Sequence, residues 1–315
     1  MSGSSDDRAP EEEAADSGVG WRITRSGSPS DEVADGRQDP TPHVGGRDAT
    51  TAPVITFLSD FGLAWGPVGV CHAVMKDIAP QIVVIDVSHG IPPFDVRAGA
   101  WVLASALPYT PVGVHLAVVD PGVGTDRMAV ALRCRRGDML VGPDNGLLIP
   151  AAERLGGIFE ARCIANEDMM RHPVSSTFHG RDVFAPAAAA LAASASFSDV
   201  GPTVEVEALV PAPWRAPVYD ERRAEGEAVL LDSFGNIRTN LESDRWPLTL
   251  GGGVRLHTLN GTTDAPVART FGEVSPGTLF VFEDSSGYIC LAINLDSAGA
   301  RLNVSAGARL DIERL

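Results

Sequence analysis

Three short runs rich in β-branched residues restrict the fold more than any other feature of the chain: "VITFLSDFG" from Val54, "QIVVIDVSHG" from Gln81 and "GVHLAVVD" from Gly113. Each is nearly all apolar over the length of one strand, as expected of strands buried on both faces. Between them, "VCHAVMKDIAP", stopped by Pro80, and "FDVRAGAWVLASALPYTP" have the length and composition of helices. Strands alternating with helices in this order call for an α/β domain with a largely parallel sheet. "MAVALRC" and "GDMLVGPDNGLL" continue that sheet, and "DVFAPAAAALAASA" supplies an alanine-rich helix able to pack closely upon it.

The texture changes after residue 200. Residues 201–220 carry four prolines and no long period, and a linker is expected over 206–218. Beyond it, "EGEAVLLDSFGNIRTNL", "GGVRLHTLNG", "TLFVFEDSSGYICLAINL" and "ARLDIERL" are short alternating strands separated by Gly, Asn and Ser turns. Strands at that spacing without intervening helices predict a smaller antiparallel β-barrel over 219–315, following the α/β domain at 53–205. The first 52 residues hold 11 acidic and 5 basic residues with many Ser, Gly and Pro. They are expected to form a disordered acidic tail; with no basic segment leading into an apolar one, they do not read as a secretory signal.

Composition narrows the partners. A net charge of −16 and a pI near 4.8 argue against nucleic acid, because that binding depends on Lys and Arg neutralising phosphates. No apolar run approaches the roughly 20 residues of a membrane span. Cys71, Cys134, Cys163 and Cys290 are far apart with no CxxC pairing, so they are expected to be isolated core thiols in a reducing cytoplasm rather than a metal knuckle or disulfide framework. The expected chain is a cytoplasmic protein acting on a small molecule, without metal or cofactor.

In open α/β sheets, ligands collect at the carboxyl ends of strands. Three such ends carry Asp60, His89 and Asp120. Asp60 suits either a vicinal diol, such as a ribose, or the capping of a turn; His89 suits either a site or a backbone carbonyl. A further dense stretch, "SSTFHGRDVFAP", brings His179, Arg181 and Asp182 together before a helix, although a capping Asp182 and a surface Arg181 account for much of it. "DPGVGTDR" has neither GxGxxG nor GxxxxGK[ST], which disfavours a dehydrogenase or a P-loop kinase.

Taken in order, "FLSDFG", "VVDPGVGTDR", "VGPDNGLL", "STFHGRDVFAP", "DSFGNIRTNL" and "SSGYICLAINL" resemble the S-adenosylmethionine hydroxide adenosyltransferases, a family related to the fluorinase and chlorinase. The resemblance covers Val54 to Leu315. It implies an α/β domain followed by a β-barrel, a homotrimer with sites between subunits, and attack of water on the ribose C5′ of S-adenosylmethionine to give adenosine and L-methionine. It further implies a water site made of Asp120, Arg127 and His179, with Asp60 on the ribose and Phe94 as an aromatic wall beside it. In the barrel it places Asp232 and Ser285 near the methionine end and Phe234 and Asn236 against adenine. Two departures stand out: Trp65 occupies the place of an acidic residue that helps bind the methionine ammonium, and His72 that of a family lysine. The alternatives are a halogenase of the same fold, disfavoured by the retained Asp120, Arg127 and His179, and a non-catalytic sensor of S-adenosylmethionine or adenosine.

Overall fold

The first apolar run forms β1 (Val54–Ser59), buried at every residue but its first. Successive side chains point to opposite faces of a strand, so Phe57 and Leu58 enter two different cores. The computed structural model describes residues 52–315; the expected tail lies outside the described residues, apart from Ala52.

After β1 the chain forms α1 (Pro67–Ile78), with a proline in its first turn. It continues through β2 (Val83–Ser88), α2 (Val96–Ala106) and β3 (Val114–Val118). The side chain of Asp95 caps α2 by accepting the Ala98 N–H at 2.9 Å. Then come β4 (Ala129–Cys134), β5 (Met139–Pro143), α3 (Ile149–Arg154), β6 (Ile158–Cys163), a π-helical turn at Gly180–Phe184, α4 (Ala185–Ala192) and β7 (Thr203–Val204).

These strands make one seven-stranded sheet in the order β2-β1-β3-β5-β4-β6-β7. The first four are parallel, and β4, β6 and β7 run against their neighbours. Phe57 and Leu116 pack with Cys71 and Met75 of α1 and with the alanines of α4; Leu58 and Ala117 pack with Leu103 of α2 and Ala151 of α3 on the other side. One strand departs from expectation. β2 is not buried on both faces: Val83 and Ile85 are 46% and 38% exposed, because β2 is the edge of the sheet.

The proline-rich stretch after β7 is tied down along its length. Leu209 is buried, the Val210 N–H donates to Asp144 Oδ1 at 2.9 Å, and β8 (Val218–Tyr219) pairs with β9. β9 (Arg223–Leu231), β10 (Ile237–Glu242), β11 (Gly253–Thr258), β12 (Gly261–Pro266), β13 (Leu279–Glu283), β14 (Tyr288–Ile293) and β15 (Arg309–Arg314) form the second sheet, with α5 (Ala298–Leu302) before the last strand. Its order is β12-β11-β15-β9-β10-β14-β13 with antiparallel pairing throughout. A bridge from Val267, just past β12, to Val281 of β13 nearly closes it into a barrel. Trp246 fills the interior, 2% exposed, and its Nε1–H donates to the Asp220 carbonyl at 3.1 Å.

The barrel rests on the α2 and α3 side of the first sheet. Arg97 of α2 pairs with Glu227 of β9, the Tyr109 hydroxyl donates to the Ser285 carbonyl at 2.9 Å, and the Arg154 guanidinium lies 5.4 Å from the Tyr288 ring centre.

Alanine decides how closely α4 approaches the sheet. Ala185, Ala187, Ala188 and Ala189 are fully buried, so an added side chain must displace neighbours in a close-packed interior. Ala188→Leu is expected to lower unfolding free energy by about 1–3 kcal/mol in urea titration, and Ala190→Leu, at a half-buried position, by clearly less.

Candidate active site

The strand order creates the site. From β1 the chain passes through α1 to β2 on one side, then through α2 to β3 on the other, so connections diverge between β1 and β3. Ligands favour such a divergence at the carboxyl ends of strands. Ser59 of β1 and Val118 of β3 are partners in register, which brings the residues that follow them, Asp60 and Asp120, to the same rim. A cavity of about 270 Å³ opens there, lined by Asp60, Phe94, Asp120, Thr177, His179 and Gly180 among others.

Asp60 does act on a turn: its Oδ2 accepts the Phe94 N–H at 2.9 Å. Phe94 has a φ of 67°, a left-handed conformation that is strained for an aromatic residue, and its ring is 71% exposed. Asp60 thus holds Phe94 where its ring faces open space beside the cavity. His89, the other strand-end candidate, does not line this cavity and pairs with a side chain rather than a carbonyl, Nδ1 lying 2.7 Å from Ser59 Oγ.

The loop after β3 turns on itself through Val123 N–H to Asp120 O at 3.2 Å and Thr125 N–H to Gly122 O at 3.1 Å. That fold brings Arg127 back to Asp120. Arg127 Nε donates to Asp120 Oδ1 at 2.8 Å and Nη2 donates to Oδ2, a bidentate fork that fixes the carboxylate plane. Gly124 is required where it stands. Its φ is +77°, and a Cβ there would lie 2.2 Å from the Ser176 carbonyl oxygen. The 120–127 loop is therefore seated directly on the 175–179 loop.

Arg127 also reaches across that seam, with Nη2 2.9 Å from His179 Nδ1. A guanidinium only donates, so Nδ1 is the acceptor and the imidazole is neutral with its proton on Nε2. Burial first, and then the Arg127 cation, hold His179 below its ordinary titration range, against the opposing pull of Asp120 and Asp182. The guanidinium is stacked 5.0 Å above the fully buried Phe184 ring, so one cation is shared between a carboxylate, an imidazole and an aromatic face.

The neighbouring pair has a supporting part. Asp182 is fully buried, takes the Arg181 fork at 2.6 and 2.8 Å and accepts the Ser175 N–H at 2.9 Å, which anchors the loop carrying His179. Gly180 sits under Phe61 and Phe178, whose rings meet edge to face at 5.7 Å; a Cβ on Gly180 would lie 2.9 Å from Phe61 Cζ.

The barrel residues gather elsewhere in the chain. Phe234, 80% exposed, and Asn236 line a second cavity of about 610 Å³ with Arg238, Phe271 and Ser297. Its lining shares no residue with the first. Asp232 and Ser285 line neither. The Asp232 carboxylate accepts N–H bonds from Phe234 and Asn236 at 3.0 Å each and pairs with Arg238 at 2.9 Å, so it staples the turn that presents Phe234. Ser285 lies in the β13–β14 hairpin with its carbonyl on Tyr109. Trp65 and Leu63 stand out from the loop before α1, each 80% exposed. Phe61, Thr177 and Phe178 line the first cavity and Arg238 the second without having been singled out. The available signal for Arg238 was its place in the "DSFGNIRTNL" run, two residues past Asn236.

Comparison with known proteins covers both parts of the chain. Residues 55–201 match the SAM hydroxide adenosyltransferase N-terminal domain, and residues 226–311 match the corresponding C-terminal domain. The chain belongs to the SAM hydroxide adenosyltransferase family. It is 45% identical over 274 residues to the (R)-S-adenosyl-L-methionine hydrolase of Salinispora tropica, covering 82% of this chain and 97% of that protein. It is 42% identical over 260 residues to the enzyme of the same name from Thermus thermophilus, covering 80% and 96%. A fluorinase from Nocardia brasiliensis is 27% identical over 291 residues, covering 83% and 97%. Among solved structures, an uncharacterized conserved protein from Thermotoga maritima superposes with a TM-score of 0.76 at 37% identity, covering 82% of this chain and all of the other. Within the adenosyltransferase match, the 120–127 and 175–182 segments fall in the N-terminal domain and Asp232, Phe234, Asn236 and Ser285 in the C-terminal one.

The charges around His179 fix the sign of a titration test. By NMR, its imidazole is expected to titrate below the ordinary value of about 6.5. Arg127→Leu removes a lowering charge and is expected to move the titration up; Asp120→Asn removes a raising charge and is expected to move it further down. Equal shifts in both variants would show that the three side chains are not coupled as described.

Proposed function

We propose that the chain hydrolyses S-adenosyl-L-methionine by attack of water at the ribose C5′, giving adenosine, L-methionine and a proton. The observation that carries this reading is the Asp120–Arg127–His179 array at the rim of a cavity that also holds Asp60. The two relatives named (R)-S-adenosyl-L-methionine hydrolase support it.

In this reaction the new bond joins water oxygen to C5′, and the C5′–S bond pair leaves with sulfur as a neutral thioether. A sulfonium needs no general acid to depart, so the protein's task is to hold the nucleophile in line and partly desolvated, an effect worth several kcal/mol. Each Asp120 oxygen spends one acceptor direction on Arg127 and keeps another for water. Asp120 orients the water and accepts its proton as C5′–O bond formation makes that proton acidic. The Arg127 cation and the Nε2–H of His179 favour the hydroxide character that develops. Asp60 holds the ribose diol, Phe94 lies beside the sugar, and Phe234 and Asn236 face adenine, with Asp232 holding their turn.

The two cavities within one chain suggest the assembly: the N-terminal part, 53–205, of one subunit meets the barrel, 219–315, of its neighbour in a homotrimer. The four free cysteines suit a cytoplasmic location. No helix among the described residues is long and apolar enough to cross a membrane. We further propose that the (R) sulfonium epimer is the preferred substrate, from the relatives' names.

Asp120→Ala is expected to reduce adenosine formation at least about 1,000-fold while binding the substrate with little change, since its loss is confined to the reacting water. In oxygen-18 water the wild-type adenosine is expected to carry the label on its 5′ oxygen, with the (R) epimer consumed faster than the (S). Unlabelled adenosine, or a near wild-type rate for Asp120→Ala, would refute the mechanism; binding without adenosine would establish a sensor.

Shared sites can be tested by complementation. Asp120→Ala and Phe234→Ala chains are each expected to be nearly inactive alone, yet coexpression at equal levels should restore about a quarter of the sites, each joining an intact rim to an intact barrel. No recovery in mixed trimers would place the whole site in one subunit.

A further inference from the structure

Away from the cavity, on the sheet edge, His72 of α1, Asp86 of β2 and His89 just past β2 converge. Their ligand atoms all lie within 4.8 Å of one another. His72 Nε2 is 2.8 Å and His89 Nε2 3.0 Å from the same oxygen, Asp86 Oδ1. His89 is 4% exposed, and its Nε2 makes no hydrogen bond of proper geometry despite that closeness. Two imidazole nitrogens and a carboxylate oxygen crowded together, with one buried nitrogen left over, form an arrangement that a cation would complete.

We propose that His72, Asp86 and His89 bind a divalent ion of the zinc class. Imidazole and carboxylate together suit borderline ions such as Zn²⁺ and Co²⁺ rather than Mg²⁺ or Ca²⁺, which take oxygen ligands. Ligands about 2.0 Å from a tetrahedral ion stand about 3.3 Å apart, so the present spacing needs only small side-chain rotations. The surroundings already supply the usual support for a ligating histidine, a partner on its other ring nitrogen: Ser59 Oγ lies 2.7 Å from His89 Nδ1. With the proton on Nδ1, the Nε2 lone pair faces Asp86 Oδ1, which is repulsive until a cation lies between them. His72 and Asp86 are part exposed, at 32% and 41% of their side chains, which leaves an entry path and an open fourth position for water.

The ion is not needed for the hydrolysis. It would tie α1 to the edge strand and sit behind the loop bearing Asp60, because the His89 carbonyl accepts the Gly62 N–H at 2.8 Å. Its role is to stiffen the support of that loop.

The test uses the full chain stripped with a chelator and dialysed. Zn²⁺ titrated calorimetrically at neutral pH is expected to bind once per chain, and Co²⁺ to give the intense visible absorption of a low-coordinate site. His72→Ala and Asp86→Asn, both at partly exposed positions, are expected to weaken Zn²⁺ binding at least about 100-fold and to abolish that absorption, and Ser59→Ala to weaken it by about 10- to 100-fold. His172→Ala, remote in sequence and exposed, should bind as the parent does. Failure of the parent chain to bind at 100-micromolar-scale concentrations (about 10⁻⁴ M, a free energy of about 5.5 kcal/mol) would overturn the proposal, as would parent-like binding by His72→Ala. Neither result bears on adenosine formation, so this site stands or falls apart from the proposed function.

Discussion

The Arg127 guanidinium is the constraint on which the site depends. It joins a strand end to a loop more than fifty residues later, through bonds to Asp120 and His179, and it is only 11% exposed. Desolvating an ion pair costs several kcal/mol, which good geometry and further hydrogen bonds can offset. Both are present: the fork to Asp120 is bidentate, a third bond goes to His179, and Phe184 covers the cation's face. Such a pair is poor evidence for stability but a strong determinant of orientation. Removing any one member leaves a half-buried group without its partner, so the three side chains act as a unit.

That unit is seated by backbone rather than by more side chains. Gly124 lets the 120–127 loop rest on the Ser176 carbonyl, and Asp182 anchors the far loop through the Ser175 amide. The loops therefore meet at a fixed separation, and Arg127 bridges a gap that the main chain has already set. Preorganisation of this kind is what a site for a poor nucleophile requires, since water gains reactivity mainly from position.

Strand ends were legible in the sequence because burial is local: an apolar run followed by Asp60 or Asp120 announces a carboxylate at a sheet rim. The arrangement of parallel strands followed from their alternation with helices. The exposure of β2 was not legible, because an edge strand and a central strand can have equally apolar sequences and only the pairing order separates them. Nor was the local duty of Asp232 or the placement of Ser285. Asp232 had the right residue type for a ligand, but its acceptors are occupied by Phe234, Asn236 and Arg238. The Ser285 carbonyl meets Tyr109 across 176 residues of chain, a partnership that spacing does not encode. The His72–Asp86–His89 cluster was not legible for the same reason: a helix crossing an edge strand brings these side chains together, at a spacing that no motif encodes.

The same packing shapes the end of the cavity next to Asp60. The space over Gly180 is taken by the Phe61 and Phe178 rings. A side chain at 180 would have to displace Phe61, the residue next to Asp60, so no group can be added there without disturbing the Asp60 end of the cavity. An anion at the rim would compete with Asp120 for the Arg127 cation, and repulsion between two such charges about 4 Å apart is on the order of 4 kcal/mol near a protein surface. A neutral water meets no such repulsion. It can donate to the carboxylate while the guanidinium remains in place, and in the proposed reaction the proton that it sheds as the C5′–O bond forms passes to Asp120.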